Sequence, residues 1–417
     1  MNIVSGMDFG TTNSAVSYFD ENTAKMVDLE KGNITIPTTM FFTANNKILY
    51  GNDAIETFLR HENGRFIRSI KSILGTSLMG EGTRINNKLT DFSDIIGYFV
   101  TYLKSKLDAQ VGISVDNIVI GRPVKFNESD KTLDTKAQQM LGDIARNSGF
   151  KFVEFQYEPV AAAFAHEQRI IGEKLAMVID IGGGTSDFSV IRIGDKLRNK
   201  LDRSDDILSN AGAKVGGNTF DKDLSFNGFM SLLGKDTTIG EKNLPMPNHV
   251  YSELSDWNEL NFIYAPKNMR MIREIYQEAN DKEKVGRMMS LVNGQRAHEF
   301  LQIVEKAKID LTSVEQIESV ILPLRDKPSV ITTRSKFDEY AVSTYERIQK
   351  SLGECLTQAG KKGTDIDIVV LTGGSTEIVK IKKMVRDGFP NAMISDEGKM
   401  TSVGEGLAFA AQRRFSR

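Results

Sequence analysis

The sequence predicts an α/β protein in which one lobe has been duplicated and subdomains inserted. Two stretches carry that expectation. In the first, an apolar run enters a turn of three glycines flanked by two aspartates, Asp180-Ile181-Gly182-Gly183-Gly184-Thr185-Ser186-Asp187, and an alternating apolar run leaves it. In the second, Met7-Asp8-Phe9-Gly10-Thr11-Thr12-Asn13-Ser14, Asp8 matches Asp180, Gly10 matches Gly182, and an alternating strand again follows. The copies are 172 residues apart, too far for a solenoid repeat and suited to one lobe of a duplicated domain. Each reads as a β-hairpin whose tight turn offers backbone N–H groups to an anion, phosphate above all. The aspartates would then serve a cation or a water, since carboxylates facing a polyphosphate need something between them. One such turn alone reads as an ordinary glycine turn. The pair, with small hydroxyl residues in both, points to a nucleotide clamped between two lobes. No G-x-x-x-x-G-K-[ST] occurs, so the P-loop route to phosphate binding is excluded.

Composition narrows the class. Lys and Arg total 53 against 55 Asp and Glu, a balance that argues against nucleic acid or an anionic membrane as the main partner. No apolar run approaches the ~20 residues that span a bilayer, and the N-terminus enters a strand with no signal-peptide core. Cys355 is the only cysteine, which rules out an internal disulfide or a multi-thiolate metal site. A cytoplasmic protein is expected, with the sequons at Asn33 and Asn127 coincidental.

In chain order, Ile34–Phe42 reads as a strand broken at Pro37 and Ile48–Gly51 as another. Asn52–Arg60 has helical spacing capped by Asn52 or Asp53. Lys71 lies in an apolar stretch and by itself reads as a solvated face residue. Phe92–Leu107 is an amphipathic helix with Ile95, Ile96, Phe99, Val100, Leu103 and Leu107 on one stripe. Ile118–Gly121 is a short buried strand, and Lys131–Ser148 is a helix stopped by Gly149. At Glu158-Pro159 a strand ends, proline takes the first helical position and alanines carry on. Glu158 therefore sits where the helix dipole favours a carboxylate, either as a base or acceptor or simply to stabilise the helix end.

After the second hairpin, Gly216-Gly217 forms a further glycine turn before a helix. Phe226 to Gly294 differs in texture, with Pro245, Pro247, Pro266, Trp257 and a methionine-rich run, and reads as an inserted helical subdomain whose methionines fill core. His298–Leu311 and Thr333–Ala359 are helical. Ile366–Leu371 is a nearly all-apolar strand, central and parallel. It runs into Thr372-Gly373-Gly374-Ser375 and a helix N-terminus, a place where a ligand can lie against backbone. Val403–Arg414 closes the chain as a helix.

The ordered set Asp8-Phe9-Gly10-Thr11-Thr12-Asn13-Ser14, Lys71, Glu158-Pro159, Asp180-Ile181-Gly182-Gly183-Gly184-Thr185 and Gly373-Gly374-Ser375 closely resembles the nucleotide-binding domain of the heat shock protein 70 family, of which DnaK-type chaperones are members, within the actin, sugar-kinase and chaperone ATPase superfamily. The resemblance covers nearly the whole chain and is weakest over 226–294. It implies an actin-like ATPase fold: two ribonuclease-H-like lobes around a nucleotide cleft, lobe I over 1–171 with 399–417 packing back onto it, and lobe II over 172–398. It further implies ATP or ADP with Mg²⁺. Thr11 and Thr12 would hold the β-phosphate and Gly183, Gly184 and Thr185 the γ-phosphate, with Gly10, Asn13 and Gly182 also binding the nucleotide. Asp8 and Asp180 would hold Mg²⁺ through its water shell. Lys71, Glu158 and Asp187, with Asp180, would be the catalytic group, which reverses the bland view of Lys71. Glu305, Lys308 and Thr312 would meet ribose and adenine together with Gly373, Gly374 and Ser375, and Gly216 and Gly217 would also bind the nucleotide.

Three positions depart from the family pattern. Ile309 and Glu377 stand where arginines are usual, and Gly404 replaces an aspartate; hydrolysis is expected to survive better than tight binding. The sequence ends shortly after Arg414, so the resemblance implies a stand-alone, slowly hydrolysing, chaperone-like ATPase without a peptide-binding domain. It would open and close on a protein partner, with a co-chaperone or exchange factor as further candidates. Alternatives are a nucleotide-sensing module with negligible turnover, a small-molecule (sugar) kinase, or an actin-like filament.

Overall fold

Alternating apolar residues on either side of Gly10-Thr11-Thr12 form β1 (Val4–Phe9) and β2 (Asn13–Asp20), an antiparallel hairpin. The same pattern around the three glycines forms β7 (Glu173–Ile181) and β8 (Ser186–Gly194). In this computed structural model, which describes residues 3–21, 23–86, 88–260 and 263–415, each hairpin seeds its own sheet. In the first, β2 pairs with β3 (Thr23–Met26) and β4 (Thr35–Pro37), while β5 (Asn117–Arg122) and then β6 (Phe152–Tyr157) add in parallel beyond β1. In the second, β8 pairs with β9 (Ile207–Ala213), while β10 (Ile368–Thr372) and then β11 (Met393–Ser395) add in parallel beyond β7. The two sheets share one plan: a hairpin, an antiparallel strand on one side, two parallel strands on the other. The parallel strands need long crossovers, and helices supply them.

Two other helices build the core that serves both sheets. These are α1 (Glu158–Glu167), buried along its whole length, and α4 (Ser402–Phe415). Val160, Ala161 and Ala163 of α1 and Leu407, Ala410 and Ala411 of α4 pack with Val4 and Val119 of the first sheet and Val178, Ile191, Ile368 and Val370 of the second. The small residues let the backbones close up: no Cβ fits at Gly6 against Leu407, nor at Gly406 against Ala161. At the end of α1, Glu167 is fully buried, and its Oε2 accepts from Arg203 Nη1 at 2.8 Å and Arg413 Nη2 at 2.9 Å. Both guanidiniums also lie over the Phe164 ring.

Helix boundaries follow the expected periodicity, with differences in how they begin and end. The helix near residue 52 spans Gly51–Leu59, and neither Asn52 nor Asp53 caps it. Glu30 does so from outside, accepting from the Asn52 backbone N–H at 2.9 Å. Phe92–Val111 ends on Gly112 at φ +82°, and Lys131–Asn147 is capped by Asp130. The expected Thr333–Ala359 helix is two, Arg334–Tyr340 and Val342–Gln358, separated at Ala341.

The described residues divide into two compact units: one takes in those up to Gly216, Arg347–Thr376 and those from Lys382 on; the other takes in Gly217–Glu346 and Glu377–Ile381. Both sheets above belong to the first. The second contains α2 (Gly217–Leu224), helices Asn248–Leu254, Pro266–Glu278 and Lys282–Asn293, then α3 (Ala297–Asp310) and a hairpin of Gln316–Val320 with Ser329–Thr333. Its core is aromatic: Phe229 meets Phe300 edge-on at 6.2 Å, and Trp257 is buried. Met288 is part of that core, whereas Met269, Met271 and Met289 are only partly covered. No helix among the described residues is long and apolar enough to cross a membrane.

Candidate functional site

The two glycine turns of the first unit face one another. A Cβ at Gly183 would overlap Thr12 Oγ1, and one at Gly184 would lie 2.7 Å from Thr11 Oγ1. Glycine is therefore required here by the close approach of the opposite turn. The second turn is closed by Gly182 N–H donating to the Thr185 carbonyl at 3.0 Å. The first is held from the bend just after β4: Thr38 N–H donates to the Thr12 carbonyl, and Thr38 Oγ1 donates to the Gly10 carbonyl, both at 2.8 Å. Gly216 and the Gly373 loop brace the second turn from behind. A Cβ at Gly216 would be 2.6 Å from the Gly182 carbonyl, and Ser375 Oγ donates to that same carbonyl at 3.2 Å. Gly373 takes φ +80°, with no room for a side chain beside Ile181 and the Asp180 carboxylate. Gly374 is exposed.

Beside these turns lies a cluster of charges. Lys71, on a short 3₁₀ turn (Ile70–Ile73) that follows Ser69 in the left-handed region, is buried rather than solvated. Its Nζ meets Glu158 Oε1 at 2.7 Å, both side chains being at most 9% exposed. Gly121 of β5 leaves the space for Glu158, since a Cβ there would be 3.1 Å from its Cγ. Asp8, at the end of β1, and Asp180, at the matching end of β7, flank the pair, and Asp187 sits across the β7–β8 ladder from Asp180. The Val124 N–H donates to Asp187 Oδ1 at 2.6 Å.

Four carboxylates share one lysine, and the electrostatics show the shortfall. Burial, then repulsion from Glu158, pushes Asp8 up to about 7 against the pull of Lys71. Asp187 rises to about 7 through burial and Glu158, despite hydrogen bonds from Thr185 and Val124. Asp180 is driven well above the usual carboxylate range by burial and by Glu158, Asp187 and Asp8. Burial would lower Lys71, but Glu158, Asp8 and Asp187 outweigh it and hold the ammonium charged. Buried carboxylates in this state take up a proton or a cation.

The residues expected at the base and ribose belong in part to the second unit. There Lys308, on α3, is buried and its Nζ is engaged by Asp221 Oδ1 at 2.7 Å and by the Gly217 carbonyl, where α2 begins, at 3.2 Å. Glu305 is partly exposed on the same helix. Thr312 lies just past the end of α3, and its hydroxyl donates to the Ile309 carbonyl. Ile309 itself is 55% exposed. Sequence reasoning missed Thr38, Gly121 and the Val124 N–H. The hydroxyl beside the strand break at Pro37 was the one available signal for Thr38; a backbone donor leaves none.

Two like sheets, each opening on a glycine and threonine hairpin with an aspartate at its base, are the hallmark of the actin-like ATPase fold. A family model described as "Hsp70 protein" matches residues 4–247 and 268–411. The chain belongs to the Hsp70 family. It is 27% identical over 398 residues to the chaperone protein DnaK of Mycoplasmopsis agalactiae (strain NCTC 10123 / CIP 59.7 / PG2), an alignment covering 92% of this chain and 54% of that protein. The chain thus spans about half the length of that curated relative.

Proposed function

We propose that this chain binds ATP as its Mg²⁺ complex at the paired turns and hydrolyses it slowly, the bound nucleotide governing a chaperone-like interaction with a protein partner. The observation that carries this is the facing pair of turns beside a buried Lys71–Glu158 pair and three carboxylates held above their usual range. Gly10 to Asn13 and Gly182 to Thr185 then present N–H and hydroxyl donors to the β- and γ-phosphates. Lys71 neutralises charge on the transferred group, Glu158 and Asp187 orient the attacking water, and Gly216, Gly217, Glu305, Lys308, Thr312 and Gly373 to Ser375 serve the ribose and base. Little covalent chemistry is required of the protein in phosphoryl transfer, so positioning and charge do most of the work.

The donor set fits Mg²⁺. Asp8 and Asp180 are hard oxygen donors short of positive charge. Mg²⁺ prefers such sites, keeping most of its water. When bound it would neutralise charge on the phosphates.

Calorimetric titration with ATP, ADP and GTP in Mg²⁺, followed by single-turnover hydrolysis of wild type and Lys71→Ala, tests the proposal. Binding of ATP with hydrolysis slowed about 10²-fold or more by the substitution is expected. No uptake at millimolar nucleotide sinks it. Ile309, exposed on α3, favours a second reading as a nucleotide sensor without turnover; binding with no measurable hydrolysis in wild type selects that one.

A further inference from the structure

The first glycine turn is held from behind by a residue that lies outside both repeated motifs. Thr38 sits in the bend between β4 and the strand Thr39–Thr43, and it is buried. Pro37 pairs across to Asn13 and Thr39 to Arg68, so strand pairing on either side fixes the Thr38 backbone. The same end of that second pairing leads, three residues past Arg68, to Lys71. Thr38 Oγ1 donates to the Gly10 carbonyl at 2.8 Å and lies 2.8 Å from Ser14 Oγ. A hydroxyl has a single proton to give. With that proton on Gly10, Thr38 accepts from Ser14, and the run from Ser14 through Thr38 to the Gly10 carbonyl points one way, each donor polarising the next. The second turn has its own version: the Gly182 carbonyl, at the position matching Gly10, accepts from Ser375 Oγ at 3.2 Å.

We infer that Thr38 is a positioning residue for the nucleotide, turning the Gly10–Thr11 peptide so that its N–H faces the phosphate; this rests on the nucleotide reading above. The peptide is trans and planar, so its C=O and N–H point in opposite directions. Thr38 and Ser14 are both buried, and they draw the Gly10 carbonyl inward. The Thr11 N–H therefore points to the partly exposed side of the turn. Glycine at position 10 leaves this peptide free to rotate, and in the reverse orientation it would set a carbonyl dipole against the charge of the ligand. The Thr38 hydroxyl removes that alternative before the nucleotide arrives, with no atom of its own on the ligand. Its effect belongs to the phosphates and not to the nucleoside.

The test uses the whole chain, with ADP and adenosine as probes in the presence of Mg²⁺, adenosine being read by competition against a fluorescent ADP. Thr38→Val keeps the shape and the backbone N–H and removes the hydroxyl donor, whereas Thr38→Ser keeps that donor. The preference for ADP over adenosine is expected to fall about fivefold in Thr38→Val and by less than about twofold in Thr38→Ser. Ser14→Ala, which leaves Thr38 its proton but removes the group that polarises it, is expected to fall between the two. A purely structural role would weaken both probes alike and leave the preference where it was. An unchanged preference in Thr38→Val overturns the inference, as does an equal loss of preference in Thr38→Ser. Should Thr38→Val fail to fold, Ser14→Ala decides, and a wild-type preference there overturns it. If wild type itself takes up no ADP, the nucleotide reading fails, and this inference with it; that outcome is distinguishable because it appears before any substitution is made.

Discussion

Gly183 has no tolerance for a side chain, because the hydroxyl of Thr12 occupies the place a methyl would take. Gly183→Ala is expected to cost about 1–3 kcal/mol in urea unfolding and to abolish measurable nucleotide binding, since the turns can no longer face each other. Adding Thr12→Ala should return part of the stability; no recovery would mean that the two turns do not meet. His166 carries a different expectation. Burial, then Arg169, lowers it to about 4 from its ordinary 6.5. The unfolded chain takes up a proton below pH 6.5 that the folded chain refuses until about 4, so stability falls as pH falls through that window. The loss is about 2 kcal/mol at pH 5. The change in urea stability from pH 7 to pH 5 should be more favourable in His166→Gln than in wild type by about that much, because the raised Asp8, Asp180 and Asp187, which gain stability over the same window, act equally in both.

At the scale of elements, hydrophobic period and turn chemistry made most of the fold legible. Both hairpins, the two long helices of the first sheet, α1 and α4 lie within a few residues of where spacing put them, because each is a local pattern with a local stop signal. What escaped depended on distant partners. The Gly51–Leu59 cap comes from Glu30, 22 residues upstream, so the nearer Asn52 and Asp53 looked like the cap. Glu30→Ala should cost about 1 kcal/mol and speed amide exchange at Asn52 while leaving the sheets protected. Lys71 looked solvated for the same reason: its partner Glu158 is 87 residues away, and only the resemblance to a known family pointed at the pair. The break at Ala341 left no mark, since alanine favours the helix it interrupts.

Over the whole molecule, the buried Glu167 with Arg203 and Arg413 shows where stability is concentrated. Glu167→Ala leaves the buried Arg413 without a carboxylate and Arg203 with Asp206 alone, and is expected to cost about 3 kcal/mol. Urea denaturation should show it as a shifted midpoint, with little change on adding salt, because no solvent screens the cluster. A loss below about 1 kcal/mol would show that the network is not held as described. The carboxylate cluster beside the paired turns was legible from Asp8 and Asp180 as a repeated motif, whereas its shortage of positive charge emerged only once burial brought four acids to one lysine.

The fit of α4 against Gly6 has a consequence for synthesis. The strand that begins the first sheet is among the earliest parts to leave the ribosome, and the helix that seals it is made some 400 residues later. Until Leu407 and Arg413 emerge from the exit tunnel, Val4 and Val119 are covered on the α1 side alone, and Glu167 has only one of its two cations. The nascent chain must therefore travel most of its length with an open apolar face, and truncations that stop short of residue 402 should accumulate in the insoluble fraction rather than as a smaller folded protein.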